Sequence, residues 1–62
     1  MKADVACQEI IEAANSFLAR SNNSQPKTLR RKGGMSEAVC IARRKKLVSN
    51  ETLIAAGFKP WN

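Results

Sequence analysis

Eight cations in two runs have the greatest capacity for chemistry in this chain: Lys27, Arg30, Arg31 and Lys32, then Arg43, Arg44, Lys45 and Lys46. Ammonium and guanidinium groups supply positive charge and hydrogen-bond donors but no acceptor, so the chemistry open to them is the binding of anions. Two such runs in close succession suit a partner that repeats its negative charge, and the phosphates of a nucleic acid are the foremost example. Catalysis has far less to draw on. The chain lacks histidine, and its five acids, Asp4, Glu9, Glu12, Glu37 and Glu51, form no pair beyond ordinary helix faces. Neither Cys7 nor Cys40 has a recognisable activating base, and Gly33-Gly34 matches neither the Walker nor the dinucleotide spacing. The expectation is a protein that is not an enzyme, with no catalytic residues.

The cysteines also argue against metal. Cys7 and Cys40 are far apart, form no CxxC pair, and have no histidine to complete a zinc site. No metal or other cofactor is expected. Both thiols read as reduced, half-buried small hydrophobes, with a disulfide in an oxidised preparation as the lesser alternative.

Charge is divided between the halves of the chain. Residues 1–25 hold two cations against three acids, a net of −1, whereas residues 26–62 hold nine against two, a net of +7. The division suggests that one half builds a core or a dimer while the other meets a polyanion. With 62 residues there is room for a single domain. Three aromatic side chains, Phe17, Phe58 and Trp61, leave it few large anchors, so a homodimer is expected to complete the core. No stretch reaches the roughly 18 to 20 apolar residues of a membrane span, and the N-terminus lacks a signal-peptide pattern. A cytoplasmic protein with no membrane partner is expected.

The elements that must position the cations follow from periodicity and punctuation. From Ala3 to Arg20, the side chains of Ala3, Ala6, Cys7, Ile10, Ile11, Ala14, Phe17 and Leu18 share one side at 100° per residue. Asp4, Gln8, Glu9, Glu12, Asn15, Ser16 and Arg20 share the other, and Val5 strays from the apolar stripe. This spacing predicts an amphipathic helix suited to core packing, within the chain or across a two-fold axis. SNNSQP (21–26) reads as a helix stop, because Ser and Asn compete for backbone hydrogen bonds and the residue before Pro26 is pushed from the helical region. KTLRRKGG (27–34) reads as an irregular basic loop that tracks phosphates, or else as a solvated linker.

A second helix is expected from Ser36, its N-cap, to about Lys46, with Met35 stapling onto Cys40. Met35, Ala38, Val39 and Ala42 form its apolar stripe; Glu37, Cys40, Arg43 and Arg44 lie opposite, and Ile41 at the boundary. Four consecutive cations cannot share one face, so at least one stem must run along the apolar side and snorkel its charge outward. Cations there also suit the helix dipole, a structural reason for the run that competes with the functional one. A third helix, about Asn50 to Ala56, is punctuated by Ser49 as N-cap, a Val48–Leu53 staple, Gly57 as a left-handed stop and Phe58 folding back toward Leu53. Phe58 and Trp61 read as a tail over the core, with Trp61 as a stacking platform the competing reading.

LIAAGFKP (53–60) resembles the end of the first helix and the turn of a helix-turn-helix unit. A recognition helix should follow such a turn, and Pro60 interrupts it, so no family is assigned. Taken together, the sequence predicts an all-α, three-helix domain over residues 1–62: an amphipathic helix (1–20), a basic linker (21–35), then a basic helix, a short helix and a tail (36–62). The expected function is a nucleic-acid-binding regulator, DNA ahead of RNA, contacting phosphates through Lys27, Arg30, Arg31, Lys32, Arg43, Arg44, Lys45 and Lys46. The alternative is a regulator or inhibitor that docks its basic half on an acidic protein partner.

Overall fold

The computed structural model describes residues 2–21 and 28–60. Three helices run through them: α1 (Ala3–Ser21), α2 (Arg31–Lys45) and α3 (Asn50–Ala55), and no strand is found among the described residues. The chain is all-α. Helix α1 packs against both α2 and α3 and is the spine of the fold.

Its sequence explains why. The stripe of α1 buries Ala6, Ile10, Ile11 and Ala14, with Leu18 packed against the cluster at the far end. The small side chains Ala6 and Ala14 lie on the same stripe as the isoleucines, and α2 contributes Ala38, Val39 and Ala42, small residues that let the two helices approach closely. Leu53 from α3 and Leu29 from the segment before α2 fill the space the alanines leave. Ile10 and Leu53 are wholly buried, each stabilising the fold by about 1.5 to 3 kcal/mol. The α1 stripe is thus covered inside one chain. Among the described residues the large hydrophobic side chains left exposed are Val5, the residue that strays from the stripe, and Ile54.

Helix α3 is short but closed at both ends as its sequence implies. The Thr52 N–H donates to the Ser49 side chain at 3.3 Å, so Ser49 is the N-cap. Val48 packs against the cluster that contains Leu53, consistent with the staple. At the other end Gly57 takes φ 92°, its N–H reaches the Ile54 carbonyl at 3.0 Å, and the Phe58 N–H reaches the Leu53 carbonyl at 2.9 Å. These two bonds are the Schellman pattern, and Phe58 packs back against the core. Trp61 lies outside the described residues, so neither reading of it is decided.

Helix α2 departs from expectation at its beginning. It starts at Arg31, not Ser36, with Arg30 as an extended N-cap that makes no side-chain capping bond. Lys32 and Gly33 take non-helical angles inside it, a kink that Gly33 permits by adopting φ 99°. The Gly34 N–H still reaches the Arg30 carbonyl at 2.8 Å, closing a turn across the kink. The expected irregular segment is kept in part: residues 28–30 lie outside the helix, Lys32 and Gly33 are non-helical, and regular helix runs from Gly34, two residues before Ser36. Ser36 is exposed within the helix and caps nothing, and Cys40 is exposed, so the staple from Met35 to Cys40 does not form. Met35 packs instead on the core. Cys7 is half-buried as expected; Cys40, whose position on the wheel is opposite Ala38 and Ala42, is not.

Candidate nucleic-acid interface

Leu29 decides where the first cation run sits. It is one of the buried core residues, although its neighbours in sequence are polar or charged. Asn15, from the middle of α1, holds it from both sides of its backbone. Its Nδ2 donates to the Leu29 carbonyl at 3.0 Å, and the Leu29 N–H donates to its Oδ1 at 2.6 Å. The amide side chain thus pairs with the peptide as another peptide would, satisfying groups that burial would otherwise leave stranded. Gly34 completes the fit, because a Cβ there would come within 3.2 Å of the Leu29 Cβ. With Leu29 pinned beneath, Arg30, Arg31 and Lys32 emerge from the surface at a fixed place.

The second run is set by the far end of α2. Lys46 takes left-handed angles, φ 55° and ψ 45°, and both its N–H and that of Leu47 turn back to the Ala42 carbonyl. A helix rises ~1.5 Å per residue, so the two runs lie roughly 16 to 21 Å apart along α2. The structure holds them at opposite ends of one element and does not merge them into one patch.

The cations differ in how much of their charge is available. Arg31 is committed to an ion pair, Nη2 to Asp4 Oδ1 at 2.7 Å, both groups being largely exposed. Lys45 reaches back along α1, its Nζ 5.7 Å from the centroid of the Phe17 ring, a cation–π contact. Arg43 is half-buried, and its Nε has no hydrogen-bond partner among the described residues. These last two are the stems that the four-cation run must lay along the body of the protein. Arg30, Lys32, Arg44 and Lys46 are exposed, and the first three have no ion-pair partner among the described residues. Lys27 lies outside the described residues.

Between the runs, α2 turns a stripe of Ser36, Glu37, Cys40 and Arg44 to solvent, all exposed. Of the three acids of α1, Asp4 pairs with Arg31 of the first run, Glu9 accepts from the hydroxyl of the buried Thr52 at 3.4 Å, and Glu12 is exposed. A shallow, open depression of about 350 Å³ lies at the kink, bordered by Thr28, Arg30, Lys32 and Glu37. Among the described residues no group of three or more His, Cys, Asp or Glu side chains is placed to hold a metal ion, and no helix is long and apolar enough to cross a membrane.

Asn15 is what sequence reasoning overlooked. On the helical wheel it belongs to the polar face, and nothing local distinguishes it from a solvated side chain; its partner is the backbone of a residue on another element. Comparison with protein-family models, with curated proteins and with solved structures finds no match for this chain.

Proposed function

We propose that this protein is a small, non-enzymatic, nucleic-acid-binding regulator that grips phosphates with the cations at the two ends of α2. The observation that carries this reading is that Arg30, Lys32 and Arg44 project from the two ends of α2, exposed and with no ion-pair partner among the described residues, whereas Arg31 of the first run is paired with Asp4. Structural needs account for only part of the cations. A helix end is adequately complemented by one or two, and Arg43 and Lys45 already fill that role. Arg30, Lys32 and Arg44 are not used by the fold in this way and can exchange counterions for phosphates.

A homodimer belongs to this reading as well, since a second copy doubles the cations offered to one nucleic acid. Val5 and Ile54, the exposed large hydrophobic side chains, are where such a copy would bury apolar surface.

Charge reversal tests the proposal. Arg30, Lys32 and Arg44 are replaced together by Glu, positions chosen because none is buried or bonded in the core. The reading expects retention on duplex DNA and hairpin RNA to be lost with far-ultraviolet circular dichroism unchanged. Unchanged retention would overturn it and favour docking on an acidic protein surface. Sedimentation of the same samples reports the oligomeric state.

A further inference from the structure

We infer that the ligand of this surface is double-stranded DNA in the B form, and that the exposed stripe of α2 seats in its major groove. The inference rests on the nucleic-acid reading above and narrows it to one ligand class and one docking face.

The first argument is shape. From Gly34 to Lys45, beyond the kink, α2 presents an uninterrupted outer stripe of Ser36, Glu37, Cys40 and Arg44. Helix α1 packs on the opposite face, against Ala38, Val39 and Ala42, so the stripe faces away from the core and is exposed. A helix with its side chains is about 10 to 12 Å across, and the B-form major groove is about 12 Å wide. The minor groove, about 6 Å wide, is too narrow for it, and the A-form major groove of duplex RNA is too deep and narrow to be read. Cys40 is small and sits at the middle of the stripe, where the helix would have to come closest to the base edges.

The second argument is the placement of charge. Phosphates border a groove on both strands while its floor displays donors and acceptors. The basic runs lie at the two ends of α2, with Ser36, Glu37 and Cys40 between them. At roughly 3.4 Å per base-pair step, the 16 to 21 Å between the runs spans about five or six base pairs. In a groove, Arg44 can face the O6 and N7 of guanine, a recognised pairing.

Cys40 supplies the test, since it lies at the centre of the proposed contact and Cys7, on α1, serves as an internal reference. The wild-type protein is saturated in turn with a 16-base-pair DNA duplex, an RNA duplex of the same length and a single strand, then treated with iodoacetamide, and alkylation at each cysteine is followed by peptide mass spectrometry. The inference expects the DNA duplex to bind at least about tenfold more tightly than either other probe and to slow alkylation of Cys40 at least about tenfold while leaving Cys7 unchanged. Tight DNA binding with Cys40 still fully reactive, or equal affinity for the RNA duplex, would overturn this inference and leave phosphate binding standing. Failure of all three probes to bind at low salt would overturn the nucleic-acid reading itself.

Discussion

Replacing Asn15 by Ala is expected to cost this small fold most of its stability, although Asn15 lies outside the hydrophobic cluster. The substitution deletes two hydrogen bonds, at 3.0 and 2.6 Å, to the backbone of Leu29. A typical intramolecular hydrogen bond contributes about 1 kcal/mol net, and stranding a buried donor or acceptor costs about 1 to 3 kcal/mol. Because Asn15 is only part-buried, water can reach some of what is left, and the combined loss should be about 2 to 3 kcal/mol. A single core in a domain of this size rarely supplies more than about 3 to 5 kcal/mol. At 4 to 8 °C per kcal/mol, the midpoint of thermal unfolding should fall by about 10 to 20 °C. Urea unfolding followed by circular dichroism measures the loss, and hydrogen exchange locates it: the Leu29 amide should lose protection ahead of the amides of α1. A variant within about 0.5 kcal/mol of the parent, or one whose Leu29 amide stays as protected as before, would refute the argument that Asn15 anchors the first basic run.

Two further substitutions separate the needs of the fold from those of the surface. Lys46→Gly should stabilise the backbone at that position by about 1 kcal/mol, because glycine adopts its left-handed angles without the penalty a side chain incurs, a gain read by thermal unfolding. Asp4→Asn should release Arg31 from its ion pair; since exposed pairs are worth at most about 1 kcal/mol, affinity for DNA should rise about two- to fivefold and the salt slope steepen by about 0.9, both read by fluorescence anisotropy.

The parts of the fold that follow local rules were legible in the sequence. Helix α1 declares itself through the period of Ala6, Ile10, Ile11 and Ala14, since one face of a helix must be apolar to pack and the other polar to meet water. Helix α3 is recognisable from its ends, because Ser49 and Gly57 each solve a hydrogen-bonding problem within a few residues. The start of α2 was not legible. Two glycines amid cations satisfy every local criterion for a loop, and Lys32 and Gly33 are indeed non-helical; what fixes the kinked turn in place is Leu29, drawn into the core and clamped by a side chain from α1. That information is tertiary. The cation runs were visible as composition, but which of them the fold uses for itself was not: Arg31, Arg43 and Lys45 are engaged by Asp4, the protein body and Phe17, and those partners come from α1 or from packing.

The central claim, that the ends of α2 hold the phosphates of a nucleic acid, is tested most directly by the salt dependence of binding to a DNA duplex. Among the described residues Arg30, Lys32 and Arg44 are the exposed cations of the two runs with no ion-pair partner. Three phosphates neutralised give a slope of about −2.7 in log K against log salt, so raising salt from about 50 to 200 mM should weaken binding about 40-fold. A slope between about −2 and −3.5 agrees with the account. Absence of binding at about 50 mM, or a slope shallower than about −2, would contradict it.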